Sequence, residues 1–440
     1  MLKSFHFRGL LGAITKKQAN SDTVSSPPRT ICAAVVLFVG LSAANAIGGW
    51  VEIGFIILGF CNLLITPHQV PAGLVVGVMM CSTYSLLRSL IGGGGQSGFS
   101  AFLILVRPLF EGYFVAISVF YFCRIRTNQS LLKGLSGYVY LMFLSAVVMI
   151  VNPELRLNLL TKWYANNESY RENFVEALRF RGYGVSRHHL FGLPLAMGSI
   201  GAILLANLAY KYGHNRRLSS SLSSLACLLL VLPNARIGIV PLIVLGTLCF
   251  TFFFRLAHLF SFAAFIMLGF AVVGLLINFT AINQEDLLLR WWQEGVLQFF
   301  IASNDEDANT INDLSKMVFF PTDILGWLVG DGRLPEVGDI MYSDLGWVRL
   351  IQRGGLLLLV GVIVVYWAVV NWIKSLFNEP VLEGVNSKGQ RLSLLVSFVI
   401  FCTFLIALNK GDIYAANDYS RLIMTLAVFG CQLNVSTKQL

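Results

Sequence analysis

The chain is a succession of apolar runs joined by shorter polar connections. A helix needs roughly 20 apolar residues to cross about 30 Å of hydrocarbon. Runs of this kind lie at 31–47, 52–66, 72–91, 100–123, 135–151, 190–210, 218–233, 237–254, 256–280, 354–373, 392–408 and 422–435. They predict an all-α polytopic membrane protein with about 12 transmembrane helices. The stretch Leu218–Phe254 would be roughly 55 Å long as one helix, so it must turn back. Pro233-Asn234 is the place for that turn. Both 31–47 and 52–66 are short, with Glu52 at their junction.

Composition closes off the alternatives. Hydrophobic residues make up 56% of the 440 and charged residues 12%, about half the roughly 25% of a soluble protein. Disordered, collagen-like and disulfide-framed chains are excluded. Cys32, Cys61, Cys81, Cys123, Cys227, Cys249, Cys402 and Cys431 all lie within or beside apolar runs, so neither a disulfide scaffold nor a zinc ribbon is expected. The net charge of +9 is better explained by loop asymmetry around membrane spans than by nucleic acid.

Basic residues then orient the spans. Lys3, Arg8, Lys16, Lys17 and Arg29 precede the first run. Connections on the same side carry Arg124, Arg126, Lys133, Lys211, Arg216, Arg217, Arg255, Lys374, Lys388 and Arg391. Short connections on the other side hold only Arg236, Lys410 and Arg421. Both termini are therefore expected in the cytoplasm. Residues 1–30 read as a cytoplasmic leader, 31–435 as a single transmembrane domain, and 436–440 as a cytoplasmic tail. Ala44-Asn45-Ala46 has the form of a signal-peptidase site, but the polar leader before it is too long for a usual signal peptide. Two long segments, 152–189 and 281–353, fall on the external side, and Glu285–Phe300 within the second has the pattern of an amphipathic helix.

The first external loop concentrates cations. From Arg179 to His189 there are three arginines (Arg179, Arg181, Arg187) and two histidines (His188, His189), with no acid. Such a run at a membrane surface can seat a phosphate or pyrophosphate, and Gly182 and Gly184 would let backbone N–H groups approach the anion. The other use of the same run is contact with anionic lipid head groups. Arg236, in the external turn Pro233-Asn234-Ala235-Arg236, either snorkels to water or binds the same anion. Arg107 and Glu111 stand four apart on the fourth span, as an internal salt bridge or part of a substrate or proton path. Asp344 lies among aromatic residues and arginines, including Arg349 and Arg353, and is a candidate base. Lys410, Asp412, Asp418 and Arg421 read as a solvated turn that could complete a cationic cleft. No Walker-A, HExxH, GxGxxG or zinc spacing occurs, which argues against an ATP-driven transporter or a metalloprotease.

The order of these features resembles the O-antigen polymerase and ligase superfamily of bacterial envelope polysaccharide assembly, over roughly residues 100–430. The shared features are the many spans, the external Arg179-Phe180-Arg181-Gly182 and the arginine turn Asn234-Ala235-Arg236. After them come Gly330-Asp331-Gly332, Ser343-Asp344-Leu345-Gly346, and Gly354-Gly355 at the opening of a span. The resemblance implies a GT-C-type helical fold and a glycosyltransferase using undecaprenyl-pyrophosphate-linked glycans, with no metal or other cofactor. It implies localisation in the bacterial inner membrane. In the ligase branch a His-Asn pair typically stands where this chain has Ser343-Asp344. That departure shifts the reading toward a polymerase.

The expected function is therefore polymerisation of lipid-linked repeat units into O-antigen or exopolysaccharide at the external face. Arg179, Arg181 and Arg236 are expected to hold the pyrophosphate. Asp344, His188 or His189 would serve as base, and Arg187, Arg349, Lys410 and Arg421 would line the substrate cleft. Membrane lipids are expected partners, a chain-length regulator is a candidate one, and nucleic acid is not. The alternatives are an O-antigen ligase and, from another class, a non-enzymatic lipid-linked sugar flippase or secondary transporter.

Overall fold

The computed structural model describes residues 27–65, 70–92, 97–164, 182–189, 191–210, 214–253, 263–269, 271–272, 318–332, 343–376, 387–409, 411–415 and 417–438. Among them there is no strand. The helices are α1 (Pro27–Phe38), α2 (Ala44–Ile47), α3 (Gly49–Ile65), α4 (Ala72–Ile91), α5 (Ser97–Ile117), α6 (Asn128–Val151) and α7 (Pro153–Tyr164). They continue as α8 (Gly192–Tyr210), α9 (His214–Asn234), α10 (Val240–Phe253), α11 (Ile324–Val329), α12 (Gly346–Ser375), α13 (Ser387–Ala407) and α14 (Asp418–Lys438). A π-helical stretch, Val39–Ala43, joins α1 to α2, and another, Ser118–Phe122, extends α5.

Among the described residues, five helices are long and apolar enough to cross a membrane: Ala72–Ile91, Phe99–Phe122, Asn128–Val151, Gly346–Ser375 and Gln390–Ala407. Five more apolar helices are shorter, among them Pro27–Ala43, Trp50–Ile65 and Gly192–Leu208. Large apolar side chains stand exposed in series, as with Ile53, Ile57 and Leu64 on α3, and Leu357, Val360 and Val364 on α12. Exposed apolar surface of this extent marks an interaction site, and on long apolar helices hydrocarbon is the matching solvent. The opposite case is α14, which is buried without a break from Asp418 to Gln432 and packs on α5, α8 and α12. A helix buried on every side is a bundle core, and α14 can carry polar residues because its neighbours satisfy them.

Local chemistry explains the element boundaries, and several differ from expectation. Pro27-Pro28, inside the expected leader, are already helical in α1, where proline is tolerated in a first turn. Thr127 caps α6, its hydroxyl accepting from Ser130 N–H at 3.2 Å. The chain reverses after Pro233-Asn234, as the apolar run required, through a short 3₁₀ helix, Arg236–Ile239. The loop 152–189 is not all irregular, since Pro153–Tyr164 is helical. The expected span 256–280 lies mostly outside the described residues, as does Glu285–Phe300. Gly354-Gly355 stands where the long apolar helix restarts, after a first segment over 346–353. It kinks α12 eight residues in, because Gly355 has φ +67° and the backbone of Leu328 occupies the place of a side chain.

Close backbone approaches bring distant connections to one end of the bundle. Gly92, after α4, packs on Asp331 and Gly332, and Gly330 packs on the α12 kink. Gly346 packs on Leu408 and Gly411, which in turn meets Phe191 and Asp344. Gly192, opening α8, meets His188 and Asn417, and Gly198 meets Gly238 of the α9–α10 turn. These connections are the ones that the charge pattern assigns to a single side.

Candidate functional site

At that end, Asn234 joins two stretches far apart in sequence. Its Oδ1 accepts from the N–H of Gly182 at 3.0 Å and of Tyr183 at 2.8 Å, while its Nδ2 donates to Tyr183 C=O at 2.9 Å and to Leu230 C=O at 2.8 Å. Asn234 is fully buried, so every polar atom of its amide is accounted for. Gly182 turns at φ +86° over Leu160 to make the contact. The backbone of Arg236 starts two residues beyond this clamp; Arg179, Arg181, Lys410 and the side chain of Arg236 lie outside the described residues.

The two histidines have different surroundings. His189 is fully buried, with Nε2 bonded to Gly184 C=O at 2.9 Å and its ring stacked on Trp163. Burial holds its pKa down to about 4, with the charge of Arg156 acting the same way and the Gly184 bond opposing. It is a structural pin of the loop and not an available base. His188 is only half-buried, and its backbone N–H donates to Ser186 Oγ at 2.9 Å. Burial first, and then the charges of Arg421, His189, Arg107 and Arg187, hold its pKa well below the ordinary histidine value.

Arg421 and Arg107 belong to a buried ionic network linking α3, α5 and α14. Arg421 binds Glu111, reaches Glu52 at 3.4 Å and the Leu41 carbonyl at 3.4 Å, and approaches Asp418 at 3.9 Å. Arg107 binds Glu111 at 2.7 Å and also pairs with Glu52. Asp418 Oδ2 accepts from Ser186 Oγ at 2.7 Å and from Ser42 Oγ at 3.2 Å, and Ser42 bonds Tyr138 at 2.7 Å. The π-helical stretch supplies both the Leu41 carbonyl and Ser42 to this network. Asp418 and Arg421 are thus not part of a solvated turn. Opposite charges from three helices compensate one another, which lets both be buried. Arg421 is committed to carboxylates and does not line an open cleft.

The remaining candidates separate similarly. Asp344 is exposed just before α12, and its carboxylate makes no hydrogen bond or ion pair with any described residue. Arg349 is held by Asp412 at 2.6 Å, and Asp412 also accepts from Tyr414. Arg187 is half-buried beside His188. Asp344 meets this assembly through its backbone, which touches Gly411. Two residues matter that their sequence context hid. Asn234 reads as a turn former, and Asp418 as one acid of a hairpin, until their partners are known.

Among the described residues no group of three or more His, Cys, Asp and Glu is placed to hold a metal ion. Comparison with protein-family models, with curated proteins and with solved structures finds no match to this chain.

Proposed function

We propose that the chain is a metal-independent glycosyltransferase of the bacterial inner membrane, with about 12 spans in a GT-C-type arrangement and both termini cytoplasmic. It polymerises polyprenyl-pyrophosphate-linked repeat units into an envelope polysaccharide at the external face. The observation that carries this reading is the Asn234 clamp. It ties Gly182, the residue after Arg181 in sequence, to the helix end two residues before Arg236.

An acceptor hydroxyl attacks the anomeric carbon of the donor glycan, and the bond from that carbon to pyrophosphate breaks. The bonding pair leaves with the diphosphate, whose growing charge Arg179, Arg181 and Arg236 neutralise. The hydroxyl proton goes to His188, which lies half-buried beside Arg187. An anion bound nearby offsets the arginine charges and makes His188 a stronger base as the leaving group develops.

Purified protein given lipid-linked repeat units alone should make oligomers of increasing length. Product only on addition of a lipid A core acceptor would establish the ligase instead. In the same assay Arg236→Ala should abolish polymer at normal protein level and insertion; unchanged synthesis would remove Arg236 from the site. A carrier reading draws support from one observation, the ionic network inside the bundle, since charged residues among spans often mark ion or substrate paths. Vesicle uptake of lipid-linked sugar without any lengthening would favour it.

A further inference from the structure

Arg353 is buried to 0% exposure, and none of its three guanidinium nitrogens has a hydrogen-bond partner among the described residues. This sets it apart from Arg421, equally buried, which is surrounded by carboxylates. Arg349, one turn earlier on the same face of α12, already takes the nearest hairpin acid, Asp412, whose other oxygen accepts from Tyr414. Tyr414 also lies within the field of Arg353, so the positive charge faces a hairpin whose carboxylate is committed. A buried guanidinium charge without a counter-ion is destabilising.

The surroundings are built rather than loose. Immediately after Arg353 the Gly354-Gly355 kink interrupts α12. Tyr84 Oη holds the kink by donating to Gly354 C=O at 3.0 Å and to Val329 C=O at 3.2 Å, and Arg88 donates to Gly330 C=O. One position further round α4, the hydroxyls of Ser85 and Ser89 are also fully buried and without partners. The kink restarts the helix beside Arg353, and helix starts favour negative charge. A guanidinium with all three nitrogens free suits an anion with several oxygens better than a carboxylate, which occupies one edge of the fork.

We propose that Arg353 seats a phosphate-type oxyanion at the α12 kink, a site separate from the Asn234 clamp and independent of the polymerase reading. The phosphate belongs either to a soluble ion or to a lipid head group.

The test uses the full-length protein in nanodiscs and follows melting temperature and phosphate binding. In zwitterionic nanodiscs free of phosphate, added inorganic pyrophosphate should stabilise the wild type and bind at least about tenfold more tightly than to Arg353→Met. If the source is a head group, stabilisation should come from phosphatidylglycerol in the disc instead, again lost in Arg353→Met. Exposed Lys133→Met should respond as the wild type does. Arg353→Met removes an uncompensated charge and should fold at least as well as the wild type without anion; if it does not fold, Arg353→Lys, which keeps the charge without the fork, takes its place and should give an intermediate response. Equal responses of the wild type and both Arg353 variants in every arm would overturn the proposal.

Discussion

Asn234 grips the peptide of Tyr183 on both of its polar groups, accepting from the N–H at 2.8 Å and donating to the C=O at 2.9 Å. The relationship holds a glycine-rich loop against a helix end 51 residues further along the chain. Asn234→Ala would leave the N–H groups of Gly182 and Tyr183 without an acceptor. Each lost bond is worth about 1 kcal/mol net and more where a donor stays buried, so a destabilisation of about 3 kcal/mol is expected. Hydrogen exchange should accelerate at 182–184, and polymer synthesis should fall with it. Unchanged exchange there would show that the clamp does not order the loop.

The ionic network predicts strong coupling. Glu111→Gln leaves Arg107 and Arg421 each without one carboxylate, and breaking one partner of a buried pair typically costs about 3–5 kcal/mol. Replacing Arg421 by Met in the same chain should recover part of that loss. Thermal melts of both single variants and the double variant complete the cycle. Simple additivity of the two losses would mean that the pair is not coupled.

Low pH should weaken the fold through His189. Its folded-state pKa is about 4, against an ordinary value near 6.5, so the unfolded chain binds the proton first. The contribution is fully present above pH 6.5 and is lost as pH falls from about 6.5 to about 4. It amounts to about 3 kcal/mol on the order-of-magnitude conversion of that shift. His188, also depressed, acts in the same direction. His189→Gln should flatten stability against pH across this window, and an unaltered slope would assign the acid sensitivity elsewhere.

The α12 kink predicts sensitivity at a residue with no side chain. Gly355→Ala places a methyl group at φ +67° against the backbone of Leu328. Backbone at φ +67° and ψ −168° is essentially confined to glycine and costs alanine roughly 1–3 kcal/mol, and the clash adds to it. Denaturant melts should show a loss of about 3 kcal/mol, whereas a loss near zero would mean that α11 can move away from the kink.

The two base candidates are ranked by placement. His188 faces Arg421 and Arg107, while Asp344 is exposed with no partner among the described residues. His188→Ala should lower polymerisation by roughly 100-fold or more, as expected for loss of a general base. Asp344→Asn should change it less than about tenfold. The reverse ranking would transfer the base to Asp344.

Composition and the spacing of apolar runs sufficed for the helical class, the reversal at Pro233-Asn234 and the set of connections that meet at one end. These depend on local hydrophobicity and on proline and charge placement, all of which are written along the chain. The Arg107–Glu111 pair was legible for the same reason, since its partners are one helical turn apart. What Arg421, Asp418, Asn234 and Arg353 do was not. Arg421 in the sequence is a cation beside a turn, and only packing brings Glu111, 310 residues away, to neutralise it. Arg353 looks like its neighbour Arg349, yet one has Asp412 and the other has no partner among the described residues. Whether a buried charge is compensated depends on which residues from distant stretches share its space, and that is decided when the helices pack.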